Sequence, residues 1–220
     1  MGKNFKKGTL GIVFASVIAV AGIISFHYTS QKQAHEEPNE RLAVSNLNKT
    51  TEQLDKLKSR SFLVINKKTY TNKEFSRFRQ ARNFIRQANG QKPYSAEQLK
   101  QEFIKDQVIL DEAKKEGLEA TFHQAMKYAD QVRTQFEANA SQKVKDAINA
   151  YIKSLGISTD VYWKEYAVPA YQHLLTQTNL KEKFLSQKKF DGTSDSYKQE
   201  EWNKYQTSLV NKADVTDVEK

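Results

Sequence analysis

Three large aromatics, Phe84, Trp163 and Tyr171, stand off the main apolar stripes of the helices predicted around them. An aromatic outside a core-facing stripe offers apolar contact to a partner, which is binding without bond chemistry. These three are candidate binding residues for a client polypeptide; the competing assignment is core, where most aromatics at helical spacing belong. Bond-making chemistry has little to draw on. There are four histidines, His27, His35, His123 and His173, and no two stand at metal-ligand spacing. The chain has no cysteine, which excludes a disulfide framework, a thiol nucleophile, a Cys-based zinc site and a lipid-modified N-terminal cysteine. No phosphate-cradling glycine loop, G-x-S-x-G elbow or H-E-x-x-H helix occurs. Asp and Glu are plentiful, but no pair is set apart by a loop or glycine context. The expectation is a non-enzyme with no catalytic residue, no cofactor site and no metal site.

The elements that must position the aromatics are mostly helical. With 8 Gly and 3 Pro, the composition favours long helices over a turn-rich sandwich. Three capping boxes open helices: Thr71-x-x-Glu74, Ser95-x-x-Gln98 and Thr121-x-x-Gln124. The first helix carries Phe75, Phe78, Ala81, Ile85 and Ala88 on one face and is expected to end at Asn89-Gly90. The second is apolar over much of its circumference, from Leu99 through Phe103, Ile104 and Val108 to Ala113, which makes it central to the core. The third runs Phe122, Ala125, Met126, Ala129, Val132, Phe136, and a fourth carries Val144, Ile148, Tyr151 and Ile152. Ser158 caps a further helix that Pro169 is expected to kink. Trp202, Tyr205 and Leu209 mark a last helix. Phe62–Ile65 reads as a short strand, and Ala213–Val218 alternates like an edge strand. A lone strand leaves its amides and carbonyls without partners, so these two are expected to pair.

The chain has a second, different apolar feature. From Gly8 to Gln31 it carries no Asp, Glu, Lys or Arg, although 28% of all residues are charged. Roughly 20 apolar residues span a bilayer as a helix, and Lys3, Lys6 and Lys7 ahead of the span hold the N-terminus in the cytoplasm. The expected organisation is a cytoplasmic N-terminus at 1–7 and a transmembrane anchor at 8–28. A polar spacer follows at 29–60, then an extracytoplasmic helical domain at 61–218. Ala19-Val20-Ala21 fits a signal-peptidase pattern, so a cleaved signal is the alternative to an uncleaved anchor. The net charge of +9 reads as basic residues spread along the chain with Glu and Asp interspersed. That pattern suits a solvated surface facing anionic lipid or cell-wall polymer, and not a nucleic acid.

A short strand ending V-I-N, a polar turn and T-x-x-E-F resemble the start of the SurA-type chaperone domain. Ile104–Leu118 (IKDQVILDEAKKEGL) is similar to that family's apolar helix followed by E-A-K-K-x-G-L, and Ala147–Trp163 resembles its next landmark. The resemblance covers about Phe62 to Leu185, and Glu201–Val218 looks like the family's returning helix and strand. Members such as SurA and the PrsA foldases usually carry a parvulin isomerase domain between these parts. Here only a connector, 186–197, occupies that place, and the isomerase's clustered histidines are missing. The resemblance therefore implies a mainly α fold: a helical chaperone domain whose two-stranded β element joins its N- and C-terminal ends. It implies a membrane-anchored, extracytoplasmic chaperone-like protein that binds unfolded or partly folded exported proteins without isomerase activity. The alternative is a dedicated scaffold subunit of a membrane complex with one fixed partner.

Overall fold

The computed structural model describes residues 59–88, 91–140, 142–154, 156–188, 190 and 194–218. The apolar span 8–28, most of the spacer and Asn89-Gly90 lie outside the described residues. Among the described residues no helix is long and apolar enough to cross a membrane. The described residues are mainly helical, with one small sheet among them.

Strand β1 (Ser61–Ile65) turns directly into β2 (Lys68–Thr71), and the two pair antiparallel with Leu63 opposite Tyr70 and Ile65 opposite Lys68. The polar turn stands at Asn66-Lys67 as expected, and β2 is an added strand between it and the Thr71 cap. Asn66 and Lys67 both take positive φ, 49° and 70°, the two-residue geometry whose twist matches paired strands. The usual Asn-Gly signature is absent because Lys67 stands where glycine would. Strand β3 (Val215–Asp217) pairs with the other edge of β1, Val64 opposite Thr216, so the sheet has order β2-β1-β3. Three strands, not two, thus join the first and last parts of the domain. Asn66 N–H donates to Asp214 O at 2.8 Å and Val218 N–H to Phe62 O at 3.2 Å, closing the ladder at both ends.

Helix α1 (Asn72–Ala88) starts from the Thr71 box: Thr71 N–H donates to Glu74 Oε2 at 2.7 Å and Glu74 N–H to Thr71 Oγ1 at 3.2 Å. The Ser95 and Thr121 boxes open α2 (Ala96–Lys115) and α3 (Phe122–Asn139) with both reciprocal bonds made. Gly117, at φ +68°, turns the chain out of α2 in a conformation that side-chain-bearing residues rarely adopt. Helix α4 spans Gln142–Ser154.

The segment after Ser158 departs from the expected kinked helix. Ser158 caps a single turn, Thr159–Val161, which passes into a π-helical turn, Tyr162–Tyr166, closed by Ala167 N–H to Tyr162 O at 2.9 Å. Pro169 then falls in the first turn of a new helix, α5 (Val168–Gln187), where its missing N–H costs nothing. Helix α6 (Asp195–Lys212), capped by Ser194, completes the fold. The α5–α6 connector is 188–194, shorter than the expected 186–197, because both helices extend into it.

Three apolar clusters form the interior. The sheet, α1 and α2 share Leu63, Ile65, Tyr70, Phe75, Phe78, Leu99 and Phe103, with Leu209 and Val210 of α6 against them. Ile109 and Ala113 of α2, Leu180 and Phe184 of α5 and Trp202 of α6 form a second. The third gathers Ala125, Ala129 and Phe136 of α3 with Tyr151, Tyr162, Trp163 and Tyr171. Helix α2 contributes to two of the three, as its broad apolar circumference predicts.

Candidate functional site

Trp163 and Tyr171 are interior residues: they are 1% and 0% exposed. The π turn is the reason. Its wider repeat adds a residue to the local turn and shifts the phase of everything after it. Of the residues an unbroken α-helix would bury together, Tyr162 and Ala170 stay inward, Trp163, Ala167 and Tyr171 join them, and Tyr166 and His173 are only half-buried. Trp163 lies 5.7 Å from the Phe136 ring, and Tyr171 lies 5.4 Å from Tyr128. Neither presents a surface to a client. The Phe84 side chain lies outside the described ones. Phe122, expected on the α3 core stripe, is 53% exposed at the first turn of that helix.

Between α3 and α5 runs an open groove of about 290 Å³. Gln124, Lys127, Tyr128 and Gln131 line it from α3, at spacings that place all four on one helix face. Leu175 and Asn179 line it from α5, and Ala120 lies at its end. The segment 118–121 is fastened to α5 by side chains. Asn179 Nδ2 donates to Leu118 O at 3.0 Å, and Gln172 Nε2 donates to Ala120 O at 2.8 Å. Ala120 N–H donates to Thr176 Oγ1 at 3.0 Å. One wall of the groove is therefore held by hydrogen bonds rather than by apolar packing alone. Its surface combines three amides with one ammonium, one phenol and one leucine. The Gln124 oxygen is taken by the α3 cap and Asn179 Nδ2 by Leu118 O, which leaves the Gln131 amide, Gln124 Nε2 and Asn179 Oδ1 for a partner. Such a lining can pair with the N–H and C=O groups of an extended chain and cover a small apolar side chain beside them.

Gln177 of α5 also ties into a half-buried carboxylate, Asp106 of α2. Asp106 Oδ1 accepts from Gln177 Nε2 at 2.8 Å and from Arg82 Nη2 at 3.3 Å, and Oδ2 accepts from Gln107 Nε2 at 3.3 Å. This links α1, α2 and α5 through one side chain. His173, also on α5, is held below its ordinary pKa, first by burial and then by Lys114 of α2 and Lys68 of β2. Asp106 and Glu119 oppose the shift without overcoming it. Among the described residues no three His, Cys, Asp or Glu side chains gather to hold a metal.

Comparison with protein-family models, with curated proteins and with solved structures finds no match. Function must therefore be inferred from the groove and its surroundings. Sequence reasoning missed the groove because Gln124, Lys127 and Gln131 read as an ordinary solvated helix face. The available signal was Tyr128, an aromatic set among them at i+4 from Gln124.

The lowered His173 pKa has a measurable consequence. Above about pH 6.5 the imidazole is neutral in both folded and unfolded chains and contributes no pH dependence. As the pH falls below that value, the unfolded chain takes up a proton that folded His173 refuses, so stability declines until the folded value is passed. Exposed carboxylates add their own acid sensitivity at lower pH. Thermal melts across pH 7 to about 5 should therefore show a steeper loss for the parent than for His173→Gln. Parallel curves for the two would contradict the burial of a neutral imidazole.

Proposed function

We propose that this protein is a membrane-anchored, extracytoplasmic chaperone-like protein that holds unfolded or partly folded exported chains without prolyl isomerase activity. The observation that carries the reading is the α3–α5 groove. Its amide-rich lining suits a polypeptide backbone of any sequence, and Tyr128 and Leu175 supply only modest apolar contact. Weak apolar grip combined with sequence-independent polar pairing favours capture with easy release. The sheet supports the same reading, since β3 returns to β1 across a short connector, as the resemblance to SurA-type domains implies. The uncleaved span at 8–28 supplies the anchor, and the anionic membrane or wall is the surrounding surface that the net charge suits.

The full chain in lipid nanodiscs should slow aggregation of an unfolded reporter without ATP, and should leave a proline-limited refolding step unaccelerated. Gln131→Trp places an indole in the groove from an exposed helix position, and should remove the protection while leaving the melting temperature unchanged. Full protection by that variant would place client binding elsewhere. Acceleration of the proline-limited step would contradict the absence of isomerase activity.

A further inference from the structure

The positive charge of this chain is not evenly distributed. Between Arg60 and Lys92 nine Lys or Arg residues stand against one carboxylate, Glu74, so this stretch carries +8 of the chain's +9. Glu74 is already engaged in the cap of α1. The count corrects the expectation of basic residues spread along the chain.

Within α1, Arg79, Arg82 and Arg86 recur at spacings of three and four, which sets them on one face. That face is open only in part: Arg79 is exposed and Arg86 half-buried, whereas Phe75, one turn earlier on the same face, is buried and Arg82 turns to Asp106 of α2. Beyond the helix end, Arg86 Nε donates to Lys92 O at 2.6 Å, which brings exposed Lys92 onto the same stripe. The Arg86 guanidinium also lies 4.1 Å over the Tyr94 ring, which fixes its stem. Only Arg82 of these four meets a carboxylate among the described residues, Asp106 at 3.3 Å. Arg79, Arg86 and Lys92, which meet no carboxylate among the described residues, are a standing attraction for a polyanion.

We propose that the stripe formed by Arg79, Arg86 and Lys92 docks the domain onto the anionic lipid headgroups of the membrane holding its own anchor. This rests on the anchored reading of 8–28. Two features select lipid over a discrete anionic ligand. The three cations are strung along α1 and the segment after it rather than gathered around one point, which matches a charged sheet of headgroups and not a single phosphate. The basic stretch is also the part of the domain nearest the span in sequence, so tethering holds it at high local lipid concentration. Each basic side chain close to such a surface strengthens association roughly fivefold, within a Debye length of about 8 Å.

The chain lacks cysteine, so Gln91→Cys, exposed beside Lys92, can carry a single fluorophore. The labelled full chain is reconstituted into phosphatidylcholine vesicles, with or without about a third phosphatidylglycerol, that contain a headgroup-quencher lipid. Quenching should be at least about threefold greater on the anionic vesicles. It should disappear in about 0.5 M salt. It should also disappear in the double variant Arg79→Glu/Lys92→Glu, whose two side chains form no hydrogen bond or ion pair among the described residues and whose melting should be unchanged. Equal quenching on both vesicles, or quenching retained by the variant, overturns the proposal. So does a reporter that stays unquenched while soluble polyglycerol phosphate is bound through Arg79 and Lys92. If the chain fails to float with neutral vesicles, it is the anchored reading that falls. Flotation with anionic vesicles then tests the stripe alone: loss in the variant supports it, and no effect of the variant or no flotation overturns it.

Discussion

Deleting the chain from Ser196 onward should unfold the whole domain, not trim its end. Helix α6 carries Trp202, 5% exposed, onto Ile109, Ala113, Leu180 and Phe184, with the Phe184 ring 5.7 Å away. The same helix lays Leu209 and Val210 on the sheet core, and β3 covers one edge of β1. Loss of a large buried aromatic alone typically costs about 3–5 kcal/mol, against a total domain stability of about 5–15 kcal/mol. The deletion adds exposed apolar surface on α2 and α5 and strips the ladder partners of a central strand. Circular dichroism melting should show no cooperative transition for the deletion, and for Trp202→Ala a single transition at much lower temperature. A deletion that melted like the parent would make the tail a loose appendage.

Trp163→Ala should be nearly as damaging at the other end of the molecule, by about 3–5 kcal/mol. Its ring is enclosed by Phe136 at 5.7 Å and Tyr162 at 5.4 Å, inside the cluster that joins α3 to α5. The cavity would open inside that cluster, so the loss should appear first as lost stability. Denaturant unfolding of the full chain measures the effect. Unchanged stability combined with lost client protection would return Trp163 to the binding role that helical periodicity suggests.

That contrast shows what the sequence could and could not reveal. The capping boxes at Thr71, Ser95 and Thr121 were legible because a cap is local: two side chains and two amides within four residues decide it. The β1–β3 pairing was legible for a different reason, since a strand's unpaired backbone demands a partner and one alternating segment was available. The β1–β2 hairpin was hidden because Lys67 adopts a positive φ that sequence rules assign to glycine. The π turn was hidden because nothing in Tyr162–Tyr166 marks a change of helical period; the shift turned Tyr171 inward and left Tyr166 and His173 half-buried, while Ala170 and Phe184 stayed in the core. The groove is a tertiary product of two helices and a side-chain-fastened loop, so no single segment announces it. The charge concentration at 60–92, in contrast, needed only counting by segment.

Whether the α3–α5 groove holds diverse exported chains is decided by placing a photo-crosslinking amino acid at Lys127, on the groove wall, and irradiating cells that express the full chain. A broad set of exported polypeptides should crosslink at this position, all lost when Gln131→Trp is combined with it. A single stoichiometric partner, or a crosslinking pattern that Gln131→Trp leaves intact, would contradict it.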